Sequence, residues 1–142
     1  MIRVENLHKH FGGFRAVDGA SLTIETGSIT GLVGPNGAGK TTLLNIIGAL
    51  DTTTSGTVRV NDIDISSASR RELFAFRRES VAFVFQSFKL IPVLTAFENV
   101  EYPLVMAQTR PRGERHRAVG ELLEAVGLGY LKLGQRADTL SG

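Results

Sequence analysis

The sequence contains no cysteine, which excludes a disulfide scaffold and any metal site built from thiolates. Its three histidines, His8, His10 and His116, show no spacing with carboxylates that is typical of a metal site, and we predict none there. No apolar run approaches the roughly 20 residues needed to span a bilayer, so any work at a membrane would need another chain or domain. We expect no signal peptide, because an alternating polar pattern follows Met1 at once.

A large charge of either sign is also lacking, since the formal net charge is +2 for 142 residues. The arginines occur in small clusters at positions 70–71, 77–78 and 110–117, and acidic residues are interleaved with them. This pattern favours solvated helix faces over a nucleic-acid surface, and we expect no nucleic-acid partner. The length is sufficient for one domain with a hydrophobic core.

Periodicity predicts strands in the first part of the chain. Residues 2–7 and 20–24 alternate apolar and polar side chains, and a turn signal at Gly12 and Gly13 lies between them. Residues 57–60 and 63–65 are predicted to form a short hairpin. Thr26 and Gly27 separate residues 20–24 from the apolar run 29–33, which predicts two strands joined by a tight turn, the second ending at Gly34. The apolar run 81–85 is typical of a buried parallel strand.

Helices are predicted over residues 40–50, 69–78, 95–104 and 112–126. The first is almost wholly apolar and belongs under a sheet. The second places Leu73 and Phe76 on one side. A capping-box pattern at residues 95–98 opens the third, in which Phe97, Val100 and Leu104 follow at helical spacing, and Pro103 is expected to end or kink it. For the fourth, Gly127 is the expected C-terminal cap, and the predicted apolar stripe consists of Val119, Leu122, Leu123 and Val126.

Residues 34–41 match the phosphate-loop pattern G-x-x-x-x-G-K-[ST] in full. Its glycines permit the close approach of backbone N–H groups to a polyphosphate, and the following helix adds its own free N–H groups. Lys40 supplies a mobile positive charge, the Thr41 hydroxyl suits Mg²⁺, and Thr42 can bond to phosphate. The predicted binding positions are Gly34, Pro35, Asn36, Gly37, Ala38, Gly39, Lys40, Thr41 and Thr42.

Three segments together resemble the ATP-binding domain of ABC transporters. Residues 34–43 resemble that family's phosphate loop, residues 83–86 its glutamine loop, and residues 140–142 the opening of its LSGGQ signature. The resemblance runs over the whole chain. It implies an α/β fold, with a P-loop NTPase core, an N-terminal antiparallel β part and a partial helical subdomain, the C-terminal part of the domain being absent. The core with its β part would cover residues 1–87, and the helical subdomain residues 88–142.

The same resemblance implies further site residues. Phe11 would stack on adenine, and Val17 would either flank the base or serve the core. Gln86 would act with Lys40 in catalysis, contact Mg²⁺ or a water and sense the ligand. Ser141 and Gly142 would close over ATP held by a second ATP-binding subunit. ATP and Mg²⁺ are therefore the expected cofactors.

Residues 85–100 closely resemble the lipoprotein-release and macrolide-export ATPases, whereas residues 11–19 are more like the branched-chain amino acid importers. The resemblance implies an ATPase subunit in the cytoplasm, peripheral on the inner face of the cell membrane, that couples ATP-driven dimer closure to an integral-membrane permease subunit. Phe88, Leu90, Ile91 and Leu94 would form an apolar groove for the permease, or would serve local packing only.

The chain stops inside a motif, without the Walker B strand, its carboxylates or the later switch histidine. We therefore expect the complete domain to be an ATP hydrolase, and the 142-residue piece alone to hydrolyse ATP negligibly and to aggregate. Other classes stay open: a non-transport ABC ATPase of repair, translation or cell division, a P-loop metabolite kinase or GTPase, and a degenerate structural fragment.

Overall fold

The computed structural model describes residues 1–85, 89–108, 110–128 and 134–136. The chain divides into two compact units, Met1–Ala82 and Phe83–Gly142. Among the described residues, no helix combines the length and the hydrophobicity that a membrane span requires. The elements are β1 (Ile2–Phe11), β2 (Phe14–Ile24), α1 (Lys40–Ile47), β3 (Ser55–Val60), β4 (Ile63–Asp64), α2 (Arg70–Ser80), α3 (Ala96–Ala107) and α4 (Arg112–Ala125).

The first unit contains a four-stranded antiparallel sheet with the strand order β2-β1-β3-β4. The alternating segments 2–7 and 20–24 are strands as predicted, and both extend to the turn at Gly12 and Gly13. The predicted hairpin of residues 57–60 and 63–65 is formed by β3 and β4. The antiparallel part of the fold is therefore confirmed.

A bulge in β1 changes which residues face the core. Asn6 has a φ of 46°, and the register with β2 shifts between Val4 and Leu7. Val4 is buried before the bulge, and Leu7 and Lys9 are buried after it. Because side chains alternate along a strand, the bulge moves the even-numbered residues that follow it to the opposite face of the sheet.

The core of this unit lies between the sheet and its two helices. Leu43 and Ile46 of α1 and Phe76 of α2 belong to one buried cluster with strand residues such as Leu7 and Val58. The prediction that the apolar helix is covered by the sheet is confirmed, although the helix ends at Ile47 rather than at residue 50.

Two predicted strands, residues 29–33 and 81–85, are not formed. Within the described ranges neither segment pairs with another strand, and Ile29, Val33 and Val84 are fully or almost fully exposed. A continuous apolar strand needs hydrogen-bond partners and a covered surface on both faces. Neither condition is met here, because the described sheet contains only β2-β1-β3-β4 and these side chains remain exposed.

In the second unit, α3 opens with the predicted capping box. The Thr95 hydroxyl accepts from the Glu98 amide at 3.2 Å, and the Glu98 carboxylate accepts from the Thr95 amide at 2.8 Å. Pro103 does not end the helix, which continues through it to Ala107. Proline has a helical φ and removes only one N–H donor. We attribute the continuity to the capping box and to packing against α4, where Nδ1 of His116 lies 2.9 Å from Oε1 of Glu101.

The apolar stripe predicted for α4 is only half correct. Val119 and Leu123 are buried, whereas Leu122 and Val126 are exposed. The two buried residues are four positions apart, so a single narrow face of the helix is covered. Gly127 has a φ of 79° and donates its amide to the Glu124 carbonyl at 3.0 Å, so the predicted C-terminal cap is confirmed.

Candidate functional site

The phosphate-loop segment leads from an extended stretch into α1, as its sequence predicts. Gly39 is the N-cap residue of that helix, with φ 81° and ψ 6°, and Gly37 also has a φ of 81°. Residues with side chains rarely adopt this left-handed conformation, so glycine is favoured at both positions. At Gly34, in contrast, an added Cβ would make only an ordinary contact, 3.5 Å from Cβ of Ala38.

Gly39 is also required for space. A Cβ built on it would lie 2.3 Å from the carbonyl oxygen of Ala16 and 3.2 Å from Cγ2 of Val17. The loop therefore rests directly against the backbone of β2. This close approach fixes the start of α1 next to the hairpin that carries Phe11 and Phe14.

The start of α1 presents unpaired backbone donors. The Leu43 amide makes the first intrahelical hydrogen bond, to the Gly39 carbonyl at 2.8 Å. The amides of Lys40, Thr41 and Thr42 precede it and so have no partner within the helix, and no side chain caps this end. Such a helix terminus attracts anions through these N–H groups and through the positive end of the helix dipole.

Lys40 is held by the loop itself. Its Nζ donates to the carbonyl oxygens of Gly34 and Pro35, both at 2.7 Å. An ammonium group has three N–H donors, so these two bonds orient the group and leave a third donor for an anion. The positive charge is therefore positioned at the loop before any ligand arrives.

A cavity of about 290 Å³ lies at this loop. Polar backbone and hydroxyl groups from the loop and side chains from β2 surround it. Its lining residues are Phe14, Ala16, Asn36, Gly37, Ala38, Gly39, Lys40, Thr41 and Thr42. The loop residues among these were predicted, but Phe14 and Ala16 were missed. The signal was available for Phe14, because the two-residue turn at Gly12 and Gly13 places it opposite Phe11.

Phe11 and Val17 have different environments. The Phe11 ring is 52% exposed, and its centroid lies 4.8 Å from Nζ of Lys9. Val17 is only 8% exposed and belongs to the hydrophobic core cluster. Of the two roles predicted for Val17, the structure supports the core role.

The buried Lys9 connects this region to the segment that follows α1. Its Nζ donates to Oδ1 of Asp51 at 2.7 Å and to the carbonyl of Thr52 at 2.8 Å. The hydrogen bond from Lys9, aided by one from the Thr52 amide, lowers the pKa of Asp51 below its usual value although partial burial opposes this. The Lys9 ammonium next to the Phe11 ring thus has two hydrogen-bond acceptors without a ligand.

Four residues with predicted roles lie outside the described residues, namely Gln86, Phe88, Ser141 and Gly142. Of the predicted docking groove, Leu90 is exposed, while Ile91 and Leu94 are half-buried. The Asn99 side chain accepts from the Ile91 amide at 2.8 Å and donates to the Leu94 carbonyl at 3.2 Å. These bonds anchor the segment before α3.

The histidines have no metal-like spacing in the sequence, but the fold brings two of them close to a carboxylate. Ligand atoms of His8, His10 and Asp18 all lie within 4.8 Å of one another. The two histidines are two positions apart on one strand, and Asp18 is opposite His8 on the next. Sequence spacing alone does not reveal the carboxylate, because it comes from across the hairpin.

The glycine-rich loop, the uncapped N-terminus of α1 and the hydrogen-bonded Lys40 define a P-loop protein of the α/β class. A model of the ABC transporter family matches residues 17–142, and the chain belongs to that family. The α/β fold class predicted from the sequence is confirmed by two solved structures of the ATP-binding cassette MJ0796. One is a dimer with a TM-score of 0.86 and 37% identity, covering 100% of this chain and 64% of that one. The other is a post-hydrolysis dimer bound to ADP and Pi, with a TM-score of 0.85, 36% identity and coverage of 99% and 63%.

Curated relatives agree with the subfamily resemblance of residues 85–100. The chain is 42% identical to the lipoprotein-releasing system ATP-binding protein LolD of Bacteroides thetaiotaomicron, over 90% of this chain and 58% of that protein. It is also 42% identical to the macrolide export ATP-binding/permease protein MacB of Marinobacter nauticus, over 100% of this chain and 22% of that protein. The chain therefore spans little more than half of the first relative and less than a quarter of the second.

Proposed function

We propose that this chain belongs to the ATP-binding subunit of an ABC transporter of the lipoprotein-release or macrolide-export type. The subunit binds MgATP and couples dimer closure and hydrolysis to a membrane partner. The observation that carries the proposal is the start of α1, where the unpaired amides of Lys40, Thr41 and Thr42 and the Lys40 ammonium face one cavity.

The triphosphate is bound mainly by backbone donors. The amides at the start of α1 bond to the phosphate oxygens, and Lys40 adds its charge to the β and γ phosphates. Phe11 stacks on adenine with its exposed face, an interaction worth about 1–3 kcal/mol in comparable base–aromatic pairs. Phe14, which lines the cavity and is exposed, adds apolar surface at the same end of the hairpin.

The residues present fit a magnesium ion. Thr41 is exposed at the cavity and offers a hydroxyl oxygen, the ligand class that Mg²⁺ prefers. Thr41 and Gln86 would hold the ion, which neutralises phosphate charge when bound. Lys40 stabilises the charge on the transferred phosphoryl group, and Gln86 orients the attacking water. The bound ADP and Pi of the MJ0796 cassette support hydrolysis as the reaction.

The partners follow from the same proposal. The dimers of MJ0796 support a second ATP-binding subunit, over whose nucleotide Ser141 and Gly142 would close. The name of MacB unites an ATP-binding and a permease function, which supports an integral-membrane permease as the other partner. The subunit would then lie in the cytoplasm on the inner face of the membrane, and no nucleic acid is needed.

A pair of charge-removing variants tests the site. Lys40→Gln should weaken binding of a fluorescent ATP analogue about 10- to 100-fold, because a hydrogen-bonded charge is lost from the phosphates. The matched control Lys89→Gln removes an exposed lysine from the other unit and should leave the affinity unchanged. Equal affinities of the two variants would refute the proposed nucleotide site.

A further inference from the structure

The outer face of the β1–β2 hairpin brings together two imidazoles and a carboxylate. Nδ1 of His8 lies 2.9 Å from Oδ1 of Asp18, and a ring nitrogen of His10 completes the group of atoms within 4.8 Å. Zinc with ligand bonds of 2.0–2.1 Å in tetrahedral geometry separates its ligand atoms by about 3.3 Å. The observed spacing is therefore close to that of a metal site, and side-chain rotation can supply the remainder.

Two backbone irregularities build this group. The bulge at Asn6 turns His8 and His10 away from the core, and Gly19, with a φ of 76°, adds an unpaired residue in β2. As a result His8 pairs with Asp18 across the ladder. A Cβ on Gly19 would make only an ordinary contact with Cε1 of His8, at 3.7 Å, so the positive φ rather than space favours glycine here.

The hydrogen-bond donors of this group do not match its acceptors. Both nitrogens of His8 face acceptors, Oδ1 of Asp18 at 2.9 Å and Oδ1 of Asn6 at 3.2 Å, but a neutral imidazole carries one N–H. Nε2 of His10 is buried and has no hydrogen-bond partner in the described part of the chain. Buried polar atoms of folded proteins are rarely left without a partner, and a bound cation would be a partner for Nε2 of His10.

We propose that His8, His10 and Asp18 bind one divalent transition-metal ion, of which Zn²⁺ is the best match. Two imidazole nitrogens and one carboxylate oxygen form a ligand set that suits zinc and leaves a fourth position for water. With the metal between His8 Nδ1 and Asp18, the Nε2–H donates to Asn6 and fixes the ring orientation, as outer-shell acceptors do. Mg²⁺ prefers oxygen ligands in octahedral geometry, so this site is distinct from the proposed nucleotide-linked ion.

The surroundings of the site modulate its affinity. Nη1 of Arg15 donates to the second carboxylate oxygen, Oδ2 of Asp18, at 3.1 Å. This bond directs Oδ1 towards the histidines, while the positive charge of Arg15 weakens cation binding. Arg15 is well exposed, so water screens much of this repulsion. The metal would connect β1 and β2 next to the turn that carries Phe11 and Phe14.

Cobalt spectroscopy and zinc calorimetry on the full 142-residue chain test the proposal without nucleotide. Co²⁺ should give the visible bands of a low-coordinate site and bind as one ion per chain, and Zn²⁺ should displace it. His8→Gln and His10→Gln should abolish these bands. The matched control His116→Gln changes the remaining histidine and should keep them, as should Lys40→Gln. The chain has no cysteine, so thiolates contribute no background.

A gentler variant separates ligand loss from misfolding. Asn6→Gly accepts the positive φ but loses the outer-shell acceptor, and should weaken Zn²⁺ binding about 10- to 100-fold. Zn²⁺ should also raise the Tm of the parent and of His116→Gln, but not of folded His10→Gln. Absence of the Co²⁺ bands in the parent, their retention in His10→Gln, or their loss in Lys40→Gln would each overturn the proposal.

Discussion

Strand β1 and the segment 29–33 are both rich in apolar residues and were both predicted as strands, yet only one is paired. Leu7 of β1 is 0% exposed, whereas Val33 is 95% exposed. β1 has antiparallel neighbours on both sides, and the segment 29–33 has none among the described residues. The two regions therefore differ in whether a partner strand is present, although the sequence of each predicts a β-strand.

The comparison shows which sequence patterns are sufficient by themselves to predict a paired strand. An alternating strand next to a short turn finds its partner a few residues away, and one covered face is sufficient. A continuous apolar strand belongs in a sheet covered on both faces, which needs neighbours from distant parts of a chain. The expectation that the piece aggregates stays a prediction, supported by the exposed Ile29 and Val33.

The largest expected effect separates these two regions directly. Leu7→Ala should lower the free energy of unfolding by about 2–5 kcal/mol, because it leaves a cavity in the core of the sheet. Val33→Ala should change it by no more than about 0.5 kcal/mol, because the side chain is exposed. Urea unfolding followed by circular dichroism at low protein concentration measures both. Similar losses for the two variants would show that the segment 29–33 is packed after all.

A smaller effect on stability is expected at the β1 bulge, where Gly56 of β3 lies close to the backbone of Asn6. A Cβ on Gly56 would lie 2.2 Å from the carbonyl oxygen of Asn6, and Gly56 has a φ of 88°. Gly56→Ala should therefore cost about 2–4 kcal/mol from backbone strain and overpacking together. Gly13→Ala is the matched control, because it has open space and no left-handed φ. If both alanine variants have the same midpoint in urea, the close approach does not exist in solution.

The smallest effect concerns the ion pair beneath the sheet. The lowered pKa of Asp51 means that its contribution to stability is present above the unfolded value of 3.8 and is lost as the pH falls through the folded value. Between about pH 5 and the folded pKa, the parent should lose up to about 1 kcal/mol more than Asp51→Asn. Urea midpoints measured across this range give the two slopes. Lys9→Gln should flatten the slope equally, and an unchanged slope in both variants would contradict the pairing.

The local features of the fold could be predicted from the sequence. The capping box at Thr95 and Glu98, the C-terminal cap at Gly127 and the loop that starts α1 each depend on a few neighbouring residues. In such cases side-chain chemistry and backbone freedom decide the conformation with little help from tertiary packing. The predicted loop residues 36–42 line one cavity, and their role in binding phosphate stays a prediction.

Features that depend on distant contacts were predicted less well. Helix α3 continues through Pro103, and Leu122 stays exposed, because packing partners decide both outcomes. The group of His8, His10 and Asp18 was missed for the same reason, since a bulge sets the face and a second strand supplies the carboxylate. Period and spacing describe one segment at a time and contain no information on what lies across a sheet.

The contact between Gly39 and the Ala16 carbonyl has a consequence for sequence variation. In a saturation library selected only for soluble, folded protein, position 39 should return glycine alone, because any larger side chain collides with backbone 2.3 Å away. A screen that never supplies ATP would thus recover the same residue as one that selects for the proposed nucleotide binding. An invariant glycine at position 39 would therefore reflect a steric limit of the fold rather than ligand binding. The two screens should differ at position 34, where a methyl group fits.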